Sequence, residues 1–251
     1  MRTEERIETQ TPGESGSPGL GWRELLVWLA IGHSVALLAG MVLIGELIPP
    51  IVVFAVLFLL GAFLTRRGGR AGPIMLAVFS VAVIALNSPF IIEAVEVPAS
   101  TADFLLATVS TALALGVLIA SIGTLRRTAP SRAPRAIAMG LGLVFIALVG
   151  VAVAARAAYD QPVAASGDIT LVTEDTEFAP GTISSENGET TIFVENKDNT
   201  LHTFTIEELG VDLQIPGKAT ARVSFDAGTG AYEFVCTPHE DFGMTGTLEV
   251  Q

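Results

Sequence analysis

The chain has 251 residues, 50% hydrophobic and 16% charged, with a formal net charge of −12 and a mean hydropathy of +0.57. That apolar excess is beyond what a soluble globular domain carries, and the acidity excludes nucleic acid as a partner because its phosphates would be repelled. A single cysteine excludes any internal disulfide.

Residues 1–21 are rich in Glu, Thr, Gly, Pro and Ser, a composition that predicts a disordered tail. Five apolar runs follow, at about 25–43, 48–64, 74–92, 104–125 and 137–158. A bilayer core of ~30 Å takes ~20 helical residues, so they predict an all-α membrane bundle of five transmembrane helices over 22–158. The second run is the shortest and begins at Pro49 and Pro50, which a helix tolerates in its first turn. In the third, Asn87-Ser88-Pro89 predicts a kink whose freed backbone groups are satisfied locally. Gly140, Gly142 and Gly150 predict close packing of the fifth helix.

Charge placement sets the expected topology. Arg66, Arg67 and Arg70 follow the second run, and Arg126, Arg127, Arg132 and Arg135 follow the fourth; the alternate loops hold Glu46, then Glu93, Glu96 and Asp103. Short basic loops stay cytoplasmic, so the amino terminus is expected in the cytoplasm and the carboxyl terminus outside the cell membrane. Glu46, Glu93 and Glu96 are expected at the outer interface in water, and Arg156 is expected to reach the headgroups. Residues 159–167 read as a short linker. From Tyr159 onward there are 17 acidic and three basic residues, a net −14 that leaves +2 for the rest. Such a surface suits a basic redox protein as partner, or serves solubility alone.

The carboxy-terminal stretch carries the chemistry. Cys236-Thr237-Pro238-His239 is followed by Met244, and His202 lies on an upstream strand-like segment. One thiolate, two imidazoles and one thioether are the ligand types of a blue-copper centre, a trigonal His₂Cys plane with a weak axial Met. The spacing lets one tight loop between two strands supply three of the four. Gly230 to Val235 alternates as a strand delivering the thiolate, and Gly243 to Val250 reads as the axial ligand followed by a closing strand.

With the Asn-containing turn before His202, these residues resemble a cupredoxin of the plastocyanin/pseudoazurin type over 168–251. The resemblance implies a C-terminal all-β Greek-key sandwich, one copper ion, and one-electron transfer on the extracytoplasmic side. It implies His202, Cys236, His239 and Met244 as the copper ligands, His239 as the electron port, and Leu201, Pro238 and Phe242 as an apolar rim around it. Thr203 follows the first histidine where plastocyanins usually carry Asn, which bears on the groups around the ligands and on the potential. Pro238 has no N–H to donate to the thiolate.

The expected function is that of an electron carrier rather than a catalytic oxidoreductase. The alternative is copper handling: sensing, buffering or delivery. The spans hold no Met or Cys ladder, which counts against that alternative. A binuclear copper centre needs a second cysteine that is absent. With His202 and His239 assigned to copper, His33 alone cannot make a bis-histidine haem site. A histidine within a span is a functional candidate by default. For His33 the readings are a structural or partner-facing contact, a pairing with Ser34 or a helix carbonyl, and a part in binding a quinone.

Overall fold

A computed structural model describes residues 20–45, 47–126 and 132–251. The expected tail, Glu46 and Arg127 therefore lie outside the described residues, apart from the last two positions of the tail. The helical part comprises α1 (Trp22–Ile44), α2 (Pro49–Arg66), α3 (Ala71–Leu86), α4 (Ser88–Glu96), α5 (Thr101–Leu125) and α6 (Ala133–Ala158). Among the described residues four helices are long and apolar enough to cross a membrane, or five if the bent pair α3–α4 counts as one span.

The third run is thus a correction in form: it is not one helix but two, bent by 57°. The break falls at the expected Asn87-Ser88-Pro89. Pro89 cannot donate to the Ala85 carbonyl, and Ser88 Oγ donates to it instead at 3.0 Å. Asn87 Nδ2 meets the Val83 carbonyl at 2.8 Å.

Helix α5 packs against α1 and α3, and α1 against α2. The close approaches are not at the glycines singled out above. A Cβ on Gly40 would lie 2.3 Å from Leu106, and one on Gly61 2.5 Å from Leu76. Gly140, Gly142 and Gly150 have nothing within 4 Å of such an atom, so they leave α6 loosely seated. At one end of the bundle Arg23 donates to the Thr65 carbonyl at 2.6 Å, and Trp22 lies against Gly123. The arginines after α2 and α5 are therefore at that end, and the β-domain caps the other.

The β-domain is a sandwich of two sheets. Strands β1 (Ile169–Glu174), β2 (Glu177–Ala179), β4 (Gly188–Asn196) and β7 (Thr220–Ala227) form one, in the order β2-β1-β4-β7. Strands β3 (Thr182–Ser185), β5 (His202–Ile206), β6 (Val211–Ile215), β8 (Gly230–Val235) and β9 (Thr245–Val250) form the other, in the order β3-β9-β8-β5-β6. Two pairs are parallel, β1 with β4 and β3 with β9, and the rest antiparallel. Period-two alternation aims Thr190, Ile192, Val194 and Asn196 of β4 inward. Phe178, Phe204 and Phe234 meet at ring-centroid distances of 5.0 to 6.5 Å, edge-on or tilted as aromatic quadrupoles prefer.

The stretch between the domains is held at several points. Arg156, expected to reach the headgroups, has its Nη2 donating to the Lys218 carbonyl instead. Tyr159 Oη donates to the Thr220 carbonyl at 3.2 Å, and Thr220 Oγ1 to that of Pro162 at 2.7 Å. Asp168 accepts two bonds from Arg222, at 2.8 and 2.9 Å. The β-domain is clasped onto its helices rather than swinging from them.

Candidate metal centre

His202 opens β5, Cys236 follows β8, and Met244 precedes β9, with a 3₁₀ turn over Thr237–Phe242 carrying His239. The loop is closed by its own backbone. Cys236 N–H donates to the Met244 carbonyl at 3.0 Å, His239 N–H to that of Cys236 at 2.8 Å, and Met244 N–H to that of His239 at 3.2 Å. Gly243 takes the left-handed conformation, φ +90°, that lets the chain leave the 3₁₀ turn.

Three of the four expected ligands converge, as a group that could hold a metal ion. Cys236 Sγ lies 3.4 Å from His202 Nδ1 and 3.3 Å from His239 Nδ1, and the two nitrogens are 3.2 Å apart. The centre of such a triangle is about 2 Å from each corner, the length of a metal–imidazole bond. Met244 is buried in the same core cluster as Cys236. The donor set and its dimensions fit a copper ion.

The electrostatics suit capture of a cation. Burial pushes the Cys236 thiol up to about 11, although the Thr203 and His239 amides oppose the shift. Burial, reinforced by the neighbouring His202, pushes His239 down to about 4. Near neutral pH the imidazole of His239 is uncharged with lone pairs available, and an arriving metal must displace the thiol proton.

Sequence reasoning missed the groups that orient these ligands. Asp198 Oδ2 accepts from His202 Nε2 at 2.9 Å, so the metal-facing lone pair is on Nδ1. Burial alone would raise the Asp198 carboxyl, but bonds from His202 and from the Asp175 and Thr176 amides outweigh it and hold it low. Asn196 fixes the turn. Its Nδ2 donates to the Thr200 and Ile215 carbonyls at 2.8 and 2.9 Å, and its Oδ1 accepts from Asp198 N–H at 2.8 Å. The signal was Asn196-x-Asp198 before a histidine, a turn whose acid falls four residues before the ligand. Thr203, the departure noted above, contacts both the thiol and the loop. Its N–H points at Cys236 Sγ at 3.3 Å, and its hydroxyl accepts from Thr237 N–H at 2.8 Å.

The helical domain reaches the site as well. Asp103, at the start of α5, is buried, and its Oδ2 accepts from Ser100 Oγ at 2.6 Å and from Leu201 N–H at 2.7 Å. Ser100 Oγ accepts in turn from Gly217 N–H at 3.2 Å. Of the expected rim, Leu201 is buried, Pro238 half-buried, and Phe242 82% exposed. His33 is buried and pairs neither with Ser34 nor with a carbonyl but with Ser110, Nε2 to Oγ at 2.9 Å. Ser34 donates to the Ala30 and Ala55 carbonyls instead.

Residues 142–250 match the family model described as a cupredoxin-like domain. Among solved structures the chain is similar to a reduced amicyanin mutant, at 18% identity over 35% of this chain and 86% of that one, with a TM-score of 0.30. It is similar to oxidised plastocyanin from Dryopteris crassirhizoma, at 21% identity over 33% of this chain and 100% of that one, TM-score 0.28. It is also similar to the metal-binding domain of the Streptococcus pneumoniae Cu(I)-exporting P-type ATPase, at 20% identity over 36% of this chain and 91% of that one, TM-score 0.31. No curated protein matches the chain.

Proposed function

We propose that this chain, a cupredoxin-like domain carried on a bundle of apolar helices, is a membrane-held type 1 copper protein that transfers single electrons outside the cytoplasm. The observation that carries the reading is the convergence of His202 Nδ1, His239 Nδ1 and Cys236 Sγ within 3.4 Å of one another. His202, Cys236, His239 and Met244 would hold the copper. Bound there, copper supplies a one-electron couple. The protein's part is to keep the ligands in one geometry for both oxidation states. The bonds closing the loop, and the grip of Asp198 on His202, serve that end. A fixed site that neither oxidation state must rearrange favours electron transfer over copper delivery, which needs a site that opens.

The arginines support the orientation. They lie at the bundle end away from the β-domain, and short basic loops remain in the cytoplasm. The β-domain would then face the extracytoplasmic side, where its acidic surface suits a basic redox protein as acceptor.

An optical spectrum of the copper-loaded, oxidised protein tests the centre. An intense thiolate-to-copper band in the visible is expected, and a colourless copper-loaded protein would rule out the type 1 assignment. Cysteine labelling of the Arg66–Arg70 loop from the cytoplasmic side and of Gln251 from outside tests the orientation.

A further inference from the structure

Between the helical domain and the copper loop lies a cavity of about 980 Å³, the size of sites that take small organic ligands. Its walls are apolar and belong to the membrane-type helices, with Leu37 and Ile44 from α1, Phe54 from α2 and Leu106 from α5. Its other end is polar. Glu93, Asp103 and Ser110 line it, and so does His239 together with Pro238 and Phe242 of the copper loop. A chamber with apolar walls therefore shares its space with carboxylates and with the ring of an expected copper ligand.

We propose that this cavity binds a lipid-soluble hydroquinone, whose oxidation delivers electrons to the copper through His239. The proposal rests on the electron-transfer reading and extends it from a carrier to a site that oxidises its own donor. Charge selects the occupant. Asp175 and Glu177 join Glu93 and Asp103 in the lining, and no lysine or arginine does among the described residues. A phospholipid phosphate would be repelled there, whereas a neutral ring with two O–H donors meets acceptors. Burial of the ring in the apolar part favours the same molecule.

The step balances as follows. One phenolic O–H bond of the hydroquinone breaks. Its proton would pass to the Glu93 carboxylate, and one electron would pass by way of the His239 ring to oxidised copper held by His202, Cys236 and His239, leaving the quinol oxidised by one electron. The redox protein outside then withdraws that electron. Glu93, half-buried, then releases its proton to water on that side, and a second such step yields the quinone, so two protons and two electrons leave per quinol. Asp103 already accepts two hydrogen bonds, so Glu93, half-buried in the lining, is the proton acceptor.

The test uses the full chain in phosphatidylcholine nanodiscs with a decyl-substituted benzoquinone as probe. The copper-free protein should bind the quinone saturably in calorimetry, and the matching hydroquinone more tightly, because only the hydroquinone donates to the carboxylates. Ala107→Phe and Ala94→Phe, at buried alanines lining the cavity, should each weaken binding by about tenfold or more, which is 1.4 kcal/mol. In the copper-loaded protein the matching hydroquinone should bleach the visible band. Glu93→Gln should slow that bleaching about 100-fold while bleaching by ascorbate stays unchanged. The proposal falls if binding is not saturable, if both alanine variants bind like wild type, or if the cavity holds a phospholipid the quinone does not displace. It also falls if Glu93→Gln bleaches at the wild-type rate. Bleaching by ascorbate but not by hydroquinone would end this inference and leave the electron-transfer reading standing. Bleaching by neither would end both.

Discussion

The two halves of the molecule use their polar side chains differently. In the helical domain several turn back on their own helix: Thr65 bonds the Gly61 carbonyl, Ser80 that of Leu76, Thr111 that of Ala107 and Thr124 that of Ala120. Such bonds remove a polar group from an apolar medium and specify nothing between helices. In the β-domain the buried polar groups reach across the chain. Asn196 ties β4 to the end of β6, and Thr203 ties β5 to the copper loop. Other buried groups of the bundle bridge segments: His33 with Ser110, Ser34 with the Ala55 carbonyl, Ser100 with Gly217 and Asp103 with Leu201. Ser110 and Asp103 also line the cavity that His239 lines.

Perturbing the two halves should give effects of very different size. The largest is expected from Cys236→Ser, which removes the thiolate and should abolish the visible band entirely in an optical spectrum. Asp198→Asn should come next. It keeps the shape and weakens the orienting bond to His202, so copper affinity measured by competitive chelation should fall by about 10-fold or more. Its reduction potential should rise, because the cationic Cu(II) state gains most from a nearby carboxylate. An unchanged affinity and potential would show that the Asp198–His202 bond belongs to folding alone.

Met244→Leu should retain copper and colour and shift only the potential in voltammetry, since the axial thioether is a weak ligand. An empty site in that variant would overturn the axial role. Across the domain boundary, Asp103→Ala leaves the buried Leu201 amide without its acceptor. That should destabilise the docked arrangement by about 1–3 kcal/mol, read as faster hydrogen exchange at residues 201 and 202. The smallest effect concerns the Asp168–Arg222 pair. Bonds from Arg222 and from the Ala165 amide lower the Asp168 carboxyl from 3.8 to about 2. Its stabilisation is complete above the ordinary value and lost as pH falls toward 2. Asp168→Asn should therefore narrow the acid-stability difference below pH 4 without altering the neutral spectrum.

Much of this molecule is legible one segment at a time. The apolar runs fall where helices form, because ~20 residues of uninterrupted hydrophobicity have no other stable arrangement in lipid. Asn87-Ser88-Pro89 marked a disturbance of the third run. Its size, enough to divide the run into two helices, was not readable, since the angle depends on what α4 packs against. The glycines misled for a related reason. Gly140, Gly142 and Gly150 promise close contact by composition, but a glycine packs closely only if a neighbour lies on its face of the helix. In this fold the neighbours face Gly40 and Gly61.

The sequence alone determined the ligand types and their spacing. Cys236, His239 and Met244 sit in one loop, His202 begins a strand, and both facts follow from local order along the chain. What only the tertiary structure decided is everything that depends on long-range approach. Asp198 could be seen near His202, but its bond to Nε2 rather than Nδ1 is set by how the Asn196 turn folds against β6. Asp103 and Leu201 are 98 residues apart and carry no shared pattern. Their bond exists because the clasped β-domain lowers its copper loop onto the open end of the bundle. The same approach turns Leu201, expected as an exposed rim, into a buried contact and closes a chamber between His239 and the helices. Periodicity and spacing record what each segment can become; a cavity is made of surfaces from several segments, and no one of them carries it.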